Sequence, residues 1–202
     1  MVELKSFSME KLIGKNKIFC AVFISGRGSN LKSIYKYSKK KSSKIKLKLV
    51  ISDKSNARGI IFAKKNKIIT KIVNFKNNKK AEVQIINCLK KNKIQLICLA
   101  GFMKILSKKF INNFKNRVIN IHPSLLPKYK GLKTHERVIK NKDKFSGCTV
   151  HFVNEKLDSG KIILQKKVKV IKSDTPKSLA RKILRVENKI YPKAINKVSF
   201  MI

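Results

Sequence analysis

Asn120-Ile121-His122-Pro123-Ser124-Leu125-Leu126-Pro127 is the stretch whose side chains are best spaced to act on a substrate. Val118 to Ile121 is a short apolar run, and Pro123 has no backbone donor to continue a ladder, so a strand here must stop at His122. Side chains alternate faces along a strand. Asn120 and His122, two apart, therefore share one face while Ile121 packs on the other. An amide donor beside an imidazole can steady a developing negative charge and move a proton, and the carboxyl ends of strands are where open α/β sheets bind ligands. The plain alternative is a surface turn in which both side chains satisfy loop backbone.

Gly26-Arg27-Gly28-Ser29-Asn30 is the second such stretch. It follows the apolar run Ile18 to Ser25 and precedes Leu31, Ile34, Tyr35 and Ser38 at helical spacing, which reads as strand, glycine loop, helix. Backbone can approach a ligand closely at the glycines, and the free amides of a helix start favour an anion. Ser29 or Asn30 is expected to cap that helix. The third glycine of a dinucleotide fingerprint would fall on Leu31 and the Walker pattern is absent, so a mononucleotide or ribose phosphate fits better than NAD or ATP. A tight turn without a ligand is the alternative.

Acidic residues number only ten, so one in a loop is informative. Asp158 stands before a Ser-Gly pair expected to be flexible, and a carboxylate beside a histidine would hold its tautomer and favour its charged form. Sequence alone does not bring Asp158 to His122. His135-Glu136 would open a zinc motif only with a second His at position 139, which is Ile, so no metal site is expected. His151, inside CTVHFV, reads as a satisfied strand histidine.

Positioning these groups requires a sheet. Strands are expected over 18–25, 45–52, 68–73, 94–100, 118–121, 147–153 and 162–170. Helices are expected from 31 to 38, over 57–65, 79–91, 107–113 and 133–141, and from Pro176 onward. The alternation implies an α/β chain: a single-domain open, mostly parallel twisted sheet of about seven strands with helices on both faces. The last two strands lack a helix between them, so one of them runs antiparallel. Residues 1–17 read as a basic N-terminal extension, mobile or partly helical, and 18–202 as one domain.

Length and composition agree: 202 residues suit one domain, and 43% hydrophobic content is that of a globular chain. No apolar run is long enough to span a membrane, the first residues lack the pattern of a secretory signal, and Cys20, Cys88, Cys98 and Cys148 read as buried thiols of a reducing compartment. The expected location is cytoplasmic. The formal charge of +40 would ordinarily suggest nucleic acid. The excess, however, is nearly all Lys with six Arg, spread over every segment, and Lys, Ile and Asn are what A+T-rich codons supply. A solvated lysine surface is the favoured reading, and nucleic acid is not an expected partner. The charge would still concentrate a phosphorylated substrate.

SGRGSN, LAGFMKILS, NIHPSLLPKYKGL, GCTVHFVNEKLDSG, ILQKKV and VENKIYP, in order and compatibly spaced from Ile18 to Pro192, resemble the phosphoribosylglycinamide formyltransferase family. The resemblance implies a formyltransferase, Rossmann-like fold. The implied activity is formyl transfer from 10-formyltetrahydrofolate, as co-substrate and without a metal, to the amine of 5-phosphoribosylglycinamide in de novo purine biosynthesis. It also implies small-molecule partners and a monomer or homodimer. Carried over by position, the catalytic residues are Asn120, His122 and Asp158; the phosphate loop is Gly28, Ser29 and Asn30; and Glu187 contacts the ribose. The folate pocket is Met103, Lys104, Ile105 and Leu106 with Asn154, Glu155, Lys156, Leu157 and Asp158, and a further basic contact aligns loosely at Lys79. Lys104 stands where Arg is common and cannot reproduce Arg's planar fork. Methionyl-tRNA formyltransferase and formyltetrahydrofolate hydrolase are rival activities, each with an added domain for which 202 residues leave no room. A basic nucleic-acid-binding module is the non-enzymatic rival.

Overall fold

The computed structural model describes residues 17–202, so all of the basic preface but Lys17 lies outside the described residues. Seven strands form the sheet: β1 (Ile18–Ile24), β2 (Ile45–Ser52), β3 (Ile69–Ile72), β4 (Leu96–Leu99), β5 (Val118–His122), β6 (Phe145–Phe152) and β7 (Ile162–Lys169). An apolar, β-forming run covered on both faces makes a central strand, and β1 is the plainest case. Its Cys20, Val22 and Ile24 point into one buried cluster and its Ala21 and Phe23 into the other.

The strands lie in the order β3-β2-β1-β4-β5-β6-β7. β1 through β5 are parallel, while β6 pairs antiparallel with both neighbours. β6 is thus the reversed strand expected of two strands joined without a helix. Strand order turns back between β1 and β4, which is where an open α/β sheet offers a crevice.

Six helices cover the sheet: α1 (Ser29–Ser38), α2 (Arg58–Lys65), α3 (Asn78–Lys91), α4 (Lys108–Asn113), α5 (Thr134–Lys140) and α6 (Pro176–Ser199). Buried side chains of α1, α2, α5 and α6 pack on one face, and those of α3 and α4 on the other. α6 starts as its sequence implies: Thr175 caps it in a reciprocal box with Ser178, and Pro176 stands at the first position. Further along, the buried Tyr191 directs its hydroxyl at the carbonyls of Leu99 (2.8 Å) and Ile119 (3.2 Å), so this helix clasps β4 to β5 from below. On the α3/α4 side, β6 and β7 contribute nothing to the buried apolar cluster, and β5 contributes Val118 alone. That part of the sheet is covered by loops. Among the described residues, no helix is long and apolar enough to cross a membrane.

Candidate active site

The even-numbered residues of β5 emerge on this helix-free face. Antiparallel pairing sets Asn120 opposite His151 and His122 opposite Thr149, and directly opposed residues share a face. Over them folds the excursion between β6 and β7, which carries Asp158. Its return is tight, because a Cβ at Gly160 would stand 1.7 Å from the Phe152 carbonyl oxygen. The Ser-Gly pair is therefore a site of close backbone packing, which corrects the expectation of flexibility.

His122 is buried, and its Nε2 lies 2.8 Å from the Tyr129 carbonyl oxygen, so Nε2 carries a proton. Nδ1 lies 3.3 Å from Asp158 Oδ2. Both nitrogens face acceptors, an arrangement made for the imidazolium. Burial opposes that charge most strongly, while the Tyr129 carbonyl and Asp158 favour it; His151 and Arg137 add to the opposition, and the balance lowers His122 below its ordinary 6.5. Asp158 thus favours the charged ring, burial outweighs it, and the geometry leaves a place prepared for a second proton on Nδ1.

Asp158 adopts a left-handed backbone conformation, with φ at +46°, which the short polar side chain tolerates better than most. Gly131 N–H donates to its Oδ2 at 2.8 Å, and its Oδ1 stands 3.7 Å from His151 Nε2. Burial pushes this carboxyl up, but the neighbouring His151 ring, the Gly131 amide and the His122 ring together outweigh it and hold it below 3.8. It is a carboxylate at any working pH.

His151 is the functional residue that sequence reasoning passed over. Its Nδ1 donates to the Phe152 carbonyl at 2.8 Å, which leaves Nε2 to accept from the Asn120 amide at 3.3 Å. The ring therefore orients that amide. The signal was the histidine's place in an alternating strand; what was missing was the register that seats it across from Asn120.

The glycine loop forms a second cluster. Gly28 itself is the N-cap of α1, at φ +72°, with no side-chain cap. This corrects the expectation for Ser29 and Asn30: Ser29 is already the first helical residue, and the Asn30 amide is turned away to donate to Glu187 Oε2 at 2.8 Å. Burial raises Glu187 above 4.5, only partly offset by that hydrogen bond. Asn30 Oδ1 is buried without a partner among the described residues, leaving an acceptor for an incoming donor.

Residues 101–106 make the third part. Gly101 has φ +74°, Met103 and Ile105 are exposed at 61% and 76%, and Lys104 Nζ stands 4.0 Å from Asp53 Oδ2. Leu157, 59% exposed, belongs to the excursion between β6 and β7. Among the other expected folate residues, Glu155 pairs with Lys108 (2.8 Å) and Asn112 (3.1 Å) on α4, and Asn154 accepts from the Lys156 N–H. Lys79 is exposed in the first turn of α3.

Comparison with known proteins bears on this geometry. The sequence profile of the formyl transferase family matches residues 18–195. A phosphoribosylglycinamide formyltransferase of Haemophilus influenzae is 42% identical over 178 residues, covering 87% of this chain and 84% of that protein. The human trifunctional purine biosynthetic protein adenosine-3 is 39% identical over 196 residues, and the chain spans 19% of that relative's length. The crystal structure of phosphoribosylglycinamide formyltransferase from Anaplasma phagocytophilum superimposes with a TM-score of 0.86 at 40% identity, covering 91% of this chain and 87% of that one. On a match of this extent in sequence and fold, the chain belongs to the formyl transferase family and, within it, to the phosphoribosylglycinamide formyltransferases.

Proposed function

We propose that this chain moves the formyl group of 10-formyltetrahydrofolate onto the amine of 5-phosphoribosylglycinamide, in the cytoplasm and as a step of purine synthesis. The observation that carries the reading is the convergence of Asn120, His122 and Asp158 on the helix-free sheet face, at 3.3 Å between Asp158 and the His122 ring and 3.3 Å between Asn120 and His151. The amine nitrogen attacks the formyl carbon, a C–N bond forms, the C–N bond to the folate breaks, and one proton passes from amine to leaving nitrogen. Neutral His122 accepts that proton in transit. The imidazolium so formed carries its new proton on Nδ1, beside the Asp158 carboxylate that stabilises it, and its charge together with the second N–H of the Asn120 amide steadies the oxyanion.

Removing one such donor typically costs about a hundredfold to a thousandfold in rate. Holding the two substrates together removes about 7 to 11 kcal/mol of the barrier, so positioning counts at least as much. Gly28, Ser29 and Asn30 would take the phosphate, and Glu187, with the free oxygen of Asn30, the ribose hydroxyls. The exposed apolar side chains of Met103, Ile105 and Leu157 offer a flat aromatic ligand something to bury against.

The test supplies 10-formyltetrahydrofolate with 5-phosphoribosylglycinamide, with charged initiator tRNA, or with water alone, and follows release of tetrahydrofolate. Turnover only with the ribonucleotide is expected, together with near-complete loss in His122→Ala and Asp158→Asn. Preference for tRNA or water, or full activity in either variant, would refute the assignment.

A further inference from the structure

The backbone of residues 101–106 is hydrogen-bonded at its two ends rather than along its length, while Phe102 packs edge-on against Phe23 and Phe75 and Leu106 is buried. At the start, Ser25 N–H donates to the Gly101 carbonyl (3.0 Å) and Met103 N–H donates to Ser25 Oγ (2.9 Å). At the end, Ser107 donates twice to one carboxylate: its N–H to Glu82 Oε1 and its hydroxyl to Glu82 Oε2, both at 2.5 Å. Between these anchors, Lys104, Ile105 and Leu106 donate no backbone hydrogen bond within the described residues. The backbone that presents Met103, Lys104 and Ile105 outward therefore takes its hydrogen bonds from these anchors alone among the described residues.

Glu82 belongs to α3 and is 8% exposed, on a helix face otherwise buried through Ala81, Ile85 and Leu89. A charged side chain in such a place is retained only where its hydrogen bonds are well made, and charge-assisted bonds of this kind are the strong ones. Ser107 in turn caps α4, accepting from Phe110 N–H at 3.1 Å, so the carboxylate also sits at a helix start that favours negative charge. Two helices and the loop exit are thus tied through one acidic residue.

We propose that Glu82 is a positioning residue for the formyl donor, touching no reacting atom and acting through Ser107 to fix the 101–106 loop. This role rests on the folate reading above. Glu82→Ala is expected to raise the KM for 10-formyltetrahydrofolate about tenfold or more, the usual cost of losing hydrogen bonds to a charged group. The ribonucleotide KM should stay unchanged, with little loss of kcat at saturating donor. Glu82→Gln keeps an oxygen for the Ser107 N–H and should recover most of the loss, while Ser107→Ala, which deletes the hydroxyl arm alone, should fall between.

Thermal melts confirm which variants are folded. If the alanine variant is not, Glu82→Gln and Ser107→Ala decide through the same comparison of KM values. An unaltered donor KM in the folded variants overturns the role, as does an equal rise in both KM values, the mark of a purely structural residue. A wild-type chain that does not use 10-formyltetrahydrofolate would remove the folate reading first, and this role with it.

Discussion

Glu187 lies 7% exposed on α6, with the Asn30 amide as its hydrogen-bond donor, and burial raises it above 4.5. A carboxyl whose folded value is raised contributes stability that is full below its unfolded value and lost as pH rises through the folded one. At pH 7 the chain therefore carries a cost at this residue. Glu187→Gln should be more stable than wild type at pH 7, an advantage that shrinks toward pH 4, when denaturant midpoints are compared. The same variant should bind the ribonucleotide about tenfold more weakly by titration, since it loses a charged acceptor. His122 and His135 show the opposite pattern, both lowered chiefly by burial, His135 also by the neighbouring His122 ring. Their stabilising contribution is full above 6.5 and is lost as pH falls through the lowered values. Because His122 must be neutral to accept a proton, kcat/KM is expected to hold from pH 8 down past 6.5 and drop only below it. A profile that rises on acidification would contradict that role. Asn120 and His122 were legible because Pro123 ends their strand and fixes their common face. His151 was not, because no local pattern reveals which residue of a neighbouring strand lies opposite.

Periodicity and punctuation located every strand and helix to within a few residues, including the reversed β6, because each apolar run ends in residues that cannot continue it. Loops were harder. The excursion that brings Asp158 to His122 is shaped by contacts distant in sequence, such as Val153 N–H to the Val118 carbonyl at 2.9 Å, so composition could suggest a carboxylate near a histidine but not which one. The start of α1 was misjudged because Ser and Asn are good caps in isolation, whereas here Gly28, at φ +72°, is the N-cap and both Ser29 and Asn30 fall inside the helix. The close approach of Gly28 to Gly59 gives a test at this scale. A Cβ on Gly28 would stand 2.8 Å from the Gly59 Cα, on a backbone at φ +72° that other residues adopt at a cost of about 1 to 2 kcal/mol. Gly28→Ala should therefore lower stability by at least that amount in chemical denaturation and impair ribonucleotide binding by displacing the α1 amides. Unchanged affinity would separate the glycine loop from the phosphate.

Across the whole molecule, the net charge of +40 is the feature with the widest reach. It spreads over every segment of the chain, and the field of such charges extends about 30 Å at 0.01 M salt and about 3 Å at 1 M. The KM for the phosphorylated substrate is therefore expected to rise several-fold across that range while kcat stays level, as attraction at a distance is screened. A flat KM would mark the lysines as mere surface. Composition conveyed the charge but not its meaning; fold class, by contrast, was readable from the alternation of elements. One consequence of the architecture concerns α6. Tyr191 and Glu187 are four positions apart, about 6 Å of helical rise, so the hydroxyl seated on the seam between β4 and β5 and the carboxylate gripping Asn30 travel as one piece. The helix works as a depth gauge: a repacking beneath Leu99 or Ile119, remote from any ligand, would be felt as a change of grip at the mouth of α1.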